Sequence, residues 1–179
     1  MPTVLTLLAD GFEEIEAMAP IDLLRRAGAE VVVAGLGEGI HVTGRNGVTM
    51  HADTNLNAVE QTMFDCLFLP GGPGTKQLRS DPRVRPLVLR HHADGRWLAA
   101  ICAAPTVLQD AGLLTGRRYT AHFSVANELP PLLGGERVVT DGRILTSRGA
   151  GTAVEFGLLM VEKLFSAEKS REIADSICA

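Results

Sequence analysis

The chain has 179 residues, 46% of them apolar and 21% charged, with a formal net charge of −4. That composition suits a globular domain with a sizeable core. It argues against a nucleic-acid-binding surface, since no basic run or basic–aromatic stripe is present. No stretch approaches the length of a membrane span. Met1 to Ala9 is apolar, but it lacks Lys and Arg and runs straight into Asp10, Glu13 and Glu14, so it does not read as a secretion signal. Cys66, Cys102 and Cys178 are odd in number and widely spaced. They read as reduced thiols in a cytoplasmic protein rather than as a disulfide framework.

In chain order, apolar runs at Thr3–Ala9, Val31–Ala34, Cys66–Leu69 and Trp97–Ile101 lack polar alternation. They suit parallel strands buried on both faces. Helices are expected at Ile15–Ala27, closed by Gly28, at Arg83–Ala93, closed by Gly95, and at Thr106–Leu114. Asn46-Gly47 separates Ile40–Thr43 from Val48–Ala52, and Asp141-Gly142 separates Arg137–Thr140 from Arg143–Ser147, so two hairpins are expected. A final apolar helix at about Thr152–Phe165 should lie on the sheet. No linker or repeat interrupts residues 1–179, which read as one domain. Repeated β-α-β order implies a three-layer α/β sandwich with a mostly parallel central sheet. Ligands of such folds bind beyond the carboxyl ends of the strands.

The segment Ala99-Ala100-Ile101-Cys102-Ala103-Ala104-Pro105 holds the strongest chemical signal. A cysteine sits between a strand and a helix, its small neighbours permit a sharp turn, and Pro105 suits a first helical turn. This is the strand–nucleophile–helix layout of an elbow. Amides at the helix start favour a thiolate at Cys102. Glu16 stands four residues before Pro20, which cannot donate to its carbonyl, and two before Met18. We read Glu16 as turned inward toward the thiol. A carboxylate there is tolerable only if burial keeps it protonated, and it then acts as general acid and base. Glu13 and Glu14 read as acids favoured at a helix start. The glycines after Leu69-Pro70 offer a second amide. An oxyanion hole is expected from the N–H groups of Gly72 and Ala103.

His122 reads equally as a rim histidine or as a base for Cys102. His41, His51, His91 and His92 read as solvated. Metal-ligand spacings and phosphate- or dinucleotide-binding fingerprints are missing, so no metal or cofactor is expected. Cys66 reads as a packed core thiol.

The segments Leu5–Glu16, Leu69–Gly72, Ala99–Pro105 and Leu145–Gly157 (LTSRGAGTAVEFG) resemble the ThiJ/PfpI superfamily. More narrowly, they are similar to the branch of the parkinsonism-associated protein deglycase and its bacterial ThiJ/YajL relatives. The motifs keep the family's order from Val4 to about Ala174. The resemblance implies a flavodoxin-like sandwich and a homodimer. It implies that Cys102 is the nucleophile, Glu16 its protonated partner, and Gly72 and Ala103 the oxyanion donors, with His122 at the position of an assisting histidine. It also implies that Arg45 and Arg26 lie near the dimer seam. The protease-like branch carries histidine after its cysteine. Ala103 at that place counts against peptidase activity.

The expected function is therefore a cofactor-independent glyoxalase or deglycase acting on methylglyoxal, glyoxal or their early adducts. Glycated proteins or nucleotides would enter only as substrates. The alternative is an oxidative-stress sensor or chaperone working through oxidation of Cys102. A cysteine hydrolase ranks lower, because His122 has no orienting acid in sequence.

Overall fold

The computed structural model describes residues 1–129 and 135–179. Its elements run β1 (Thr3–Leu8), α1 (Glu14–Arg26), β2 (Glu30–Gly35), β3 (His41–Thr43), β4 (Thr49–His51), β5 (Thr54–Asn55), α2 (Leu56–Val59), β6 (Cys66–Leu69), α3 (Thr75–Ser80), α4 (Val84–Ala93), β7 (Trp97–Ile101), α5 (Pro105–Asp110), β8 (Val138–Asp141), β9 (Ile144–Ser147), α6 (Ala153–Leu164) and α7 (Ala167–Ser176). Seven strands form one sheet in the order β5-β2-β1-β6-β7-β9-β8, and β3 pairs with β4 apart from it. Every pairing in the large sheet is parallel except that of β8 with β9. This is the flavodoxin-like sandwich with a mostly parallel sheet. The chain leaves β1 toward β2 on one side and returns to β6 on the other. That reversal at β1/β6 is where ligands of such sheets bind.

Alternation along the strands divides the core in two. Leu5, Leu7, Leu67, Leu69 and Leu98 pack on one face, against α4 and α5 side chains such as Leu87 and Leu108. Val4, Leu8, Phe68, Ala99 and Leu145 pack on the other, against α1 and α6 through Ile21, Leu24, Phe156 and Met160. Both faces are sealed, which is why the strand sequences are continuously apolar.

The four expected strands and the helices α1, α4 and α6 form where the apolar pattern puts them, within a residue or two at their ends. Several expectations need correction. Helix α5 stops at Asp110, not Leu114, and Gly112 follows with φ +77°. The second hairpin forms as expected, as β8 and β9, and it also joins the main sheet, because β9 pairs in parallel with β7. His91 is fully buried rather than solvated. Its Nε2 accepts from the Phe64 amide at 3.3 Å and its Nδ1 faces the Leu87 carbonyl at 2.9 Å. Burial holds this imidazole below its ordinary pKa, so it is a neutral core bridge.

Helices α1 and α6 cross at a glycine. A Cβ at Gly157 would lie 2.7 Å from Leu23 Cδ1 and 3.0 Å from Pro20 Cα. Overpacking of this kind costs about 1–3 kcal/mol, against a helix-propensity gain of about 1 kcal/mol for alanine. Gly157→Ala should therefore lower the urea midpoint, by a net loss of about 1 kcal/mol. An unchanged or raised midpoint would show that the α1–α6 contact has slack.

Candidate active site

Cys102 follows the last residue of β7 and is held at φ +67°, the left-handed region that non-glycine residues avoid. Holding it there costs about 1–3 kcal/mol, which the surroundings must supply. Two hydrogen bonds do so. The Cys102 amide donates to the Ser147 carbonyl at 2.9 Å, and the Cys102 carbonyl accepts from the His122 amide at 2.8 Å. The side chain is half-buried. Ala103, Ala104 and Pro105 turn the chain into α5, as the small-residue run predicts.

Glu16 lies on the first turn of α1 and is 1% exposed. Its inward orientation was legible, but not through Met18, which faces outward and is 45% exposed. Two residues along a helix turn a side chain to the far face. Glu16 Oε2 accepts from the Gly71 amide at 3.0 Å. The carboxyl also hydrogen-bonds with the Cys102 side chain and accepts from the Ala150 amide. Burial pushes its pKa up to about 7, the Glu13 carboxylate adds to this, and the hydrogen bonds from Cys102, Gly71 and Ala150 work against it.

The same pair acts on the thiol. Burial first, then the Glu16 charge and the Glu16 hydrogen bond, push Cys102 up to about 12, while the amides of Gly72 and Ala103 pull it down. The expectation that main-chain donors and a protonated Glu16 keep the thiol anionic meets an opposing influence here. The burial of the thiol itself is the largest influence, the Glu16 charge follows, and α5 is only six residues long. The charge repulsion exists only while Glu16 is ionised.

Gly71 escaped the sequence reading as a site residue. A Cβ there would lie 2.5 Å from Glu16 Oε2, 2.6 Å from Cys102 Cβ and 2.8 Å from the Ile101 carbonyl oxygen. No side chain fits, so glycine is what allows carboxyl and thiol to meet. Gly72, at φ +91°, offers its amide to the sulfur, as Ala103 does. The thiol, the carboxyl, His122 and both amide-bearing residues line one cavity of about 630 Å³.

His122 stands at the cavity mouth, near Gly149. Its Nδ1 accepts from the Ser124 amide at 3.2 Å and lies 2.8 Å from Ser124 Oγ. The amide contact assigns the ring proton to Nε2 in the neutral ring. Among the described residues no carboxylate orients it. Arg45 also lines the cavity and pairs with Glu13 at 3.3 Å. Arg26 does not come to this site; it pairs with Asp22 at 2.6 Å on exposed surface. Glu14 does more than favour a helix start, because its carboxylate accepts from the Asn46 amide at 2.7 Å and from Asn46 Nδ2 at 2.9 Å. It thereby ties the β3–β4 turn, and Arg45 with it, to α1. Its partners lie 32 residues away, beyond any local signal. Among the described residues no group of three or more His, Cys, Asp or Glu could hold a metal ion.

A profile of the DJ-1/PfpI family matches residues 2–163. The chain belongs to this family. It is 40% identical to Protein DJ-1 homolog A of Arabidopsis thaliana over 96% of its own length, but it spans only 45% of that relative. Glutathione-independent glyoxalase DJR-1.2 of Caenorhabditis elegans is 35% identical, with 93% of this chain and 90% of that protein covered. The solved structure of oxidized DJ-1 from Toxoplasma gondii superposes with a TM-score of 0.95 at 39% identity, covering 99% of this chain and 98% of that one. Among the described residues no helix is long and apolar enough to cross a membrane.

A carboxyl pushed up to about 7 has a thermodynamic consequence. Below its ordinary value of 4.5 Glu16 is protonated in folded and unfolded chains alike and contributes nothing to pH dependence. Between 4.5 and about 7 the folded chain holds a proton that the unfolded chain releases, so stability falls as pH rises through that window. Glu16→Gln should remove a cost of up to about 3 kcal/mol at pH 8 and little at pH 5. Urea unfolding of both proteins at the two pH values checks this. The same difference at pH 5 and 8 would place the Glu16 carboxyl at its ordinary value.

Proposed function

We propose that this protein is a cysteine-dependent glyoxalase or deglycase, acting on methylglyoxal, glyoxal and their early adducts with amines and thiols. The observation that carries the reading is the hydrogen-bonded Cys102–Glu16 pair with the Gly72 and Ala103 amides directed at the sulfur. The pair holds one proton. With that proton on Glu16 the repulsion disappears, the carboxyl becomes a donor to sulfur, and the amides favour thiolate. The thiolate attacks the aldehyde carbon of methylglyoxal, and the new oxyanion rests on the amides of Gly72 and Ala103. Glu16, assisted by His122, moves a proton from the former aldehyde carbon to its neighbour, which converts the hemithioacetal to a thioester. Water then releases lactate and returns the thiol. Every step uses side chains and amides of this chain, without a cofactor. The naming of the C. elegans relative as a glyoxalase supports the same chemistry.

A second reading has its own support, since a family structure is described as oxidized. A half-buried Cys102 beside a carboxyl donor suits a sulfinate, and this redox role is compatible with the enzymatic one. We read residues 1–179 as one catalytic domain, and its need for a reduced thiol supports a reducing compartment such as the cytoplasm. We also propose a homodimer. Ile15 and Met18 on α1, Val48 on the hairpin and Val154 on α6 are 55%, 45%, 55% and 41% exposed. Exposed apolar side chains of this kind suit burial against a second copy, and we expect Arg45 and Arg26 near that seam.

Lactate release from methylglyoxal decides the enzymatic reading. Wild type should exceed Cys102→Ser by about a thousandfold or more. Equal rates would remove Cys102 from the reaction.

A further inference from the structure

We propose that His41 and His51 form a bidentate site for a borderline divalent cation such as Zn2+, on the outer face of the β3–β4 hairpin. The two residues lie directly opposite each other in the antiparallel pairing, in register with Val42–Met50 and Thr43–Thr49. The Ala52 amide donates to the Ile40 carbonyl and the Gly44 amide to the Val48 carbonyl. Hydrogen-bonded positions are therefore the even-numbered ones, and His41–His51 is a non-hydrogen-bonded pair. Such pairs bring Cα atoms to about 4.5 Å and hold their side chains closest. Thr43 and Thr49, the other pair of this class, confirm the closeness with hydroxyls 3.0 Å apart.

The imidazole centroids are 4.8 Å apart and the rings tilt by 53°. Two imidazoles bound to one ion at about 2.0–2.1 Å, at square or tetrahedral angles, have centroids about 4.5–5.2 Å apart. The observed spacing falls inside that range. Both residues are exposed, and among the described residues no side-chain hydrogen bond or ion pair engages either ring. Two neutral imidazoles suit Zn2+ and its neighbours rather than Mg2+ or Ca2+. Water completes the coordination.

The frame is anchored, which limits the entropy lost on binding. Val42 is buried beneath the pair, and Glu14 clamps the turn. The Thr43 carbonyl accepts from Gly11 at 2.7 Å, and the Thr43 amide donates to Asp10 Oδ1 at 2.8 Å.

Titration of Zn2+ into protein carrying Cys102→Ser and Cys178→Ser, which removes competing thiols, tests the site by calorimetry. One equivalent should bind. Either His41→Gln or His51→Gln should weaken binding by about tenfold or more, because each destroys the chelate. His92→Gln should leave it unchanged. In NMR spectra of the parent protein the imidazole signals of His41 and His51 should shift together, a readout independent of any histidine variant. Less than a twofold loss from either substitution, or imidazole shifts confined to other histidines, would overturn the proposal and leave a simple ring contact.

Discussion

Two acids that cannot both be ionised govern this molecule. Glu16 is buried, its carboxyl hydrogen-bonds with Cys102, burial raises the pKa of both groups, and the Glu16 charge raises that of the thiol further. One proton is therefore retained between them over the physiological range. Where that proton sits decides whether the sulfur is inert or nucleophilic. A lone half-buried thiol would have only the amides of Gly72 and Ala103 on its side. A neutral carboxyl adds a third donor that no solvent competes for.

The fold exists around this pair at some expense. Glu16 occupies a position on α1 where an apolar side chain would pack against the sheet. Cys102 is strained at φ +67°. Gly71 gives up any side chain so that the two can touch. All three concessions occur at the β1/β6 reversal and the adjoining end of β7, where strand ends diverge and a cavity opens. The hydrophobic seal on both sheet faces supplies the stability that makes them tolerable. Helix α1 contributes to both functions, since Ile21 and Leu24 pack in the core while Glu16 reaches the thiol.

The parallel strands were legible because burial on both faces writes itself as unbroken apolar runs. Cys102 was legible because a sharp strand-to-helix turn demands small neighbours, and the chain shows them as Ala99, Ala100, Ala103 and Ala104. Other features have no local signature. His91 looks like a surface residue until Phe64, 27 positions earlier, presents an amide to it. Strand β9 reads as half of a hairpin, and only its pairing with β7 makes it part of the main sheet. Helix α3 follows a glycine-rich run, and α7 is polar apart from the buried Ile173 and a Ser166 cap on the Lys169 amide, so neither shows a strong apolar period. The burial that opposes the thiol's ionisation has no local signature either. The opposing effect of burial depends on tertiary packing, not on the helix start that is visible in the chain.

The pH profile of Cys102 alkylation by iodoacetamide tests the shared-proton account most directly. If Glu16 carries the proton, the thiolate forms at lower pH than free cysteine, so the midpoint should fall below about 8.5. A midpoint at or above that value, toward the region of 12 to which burial and an ionised Glu16 push the thiol, would place the proton on sulfur and contradict the account.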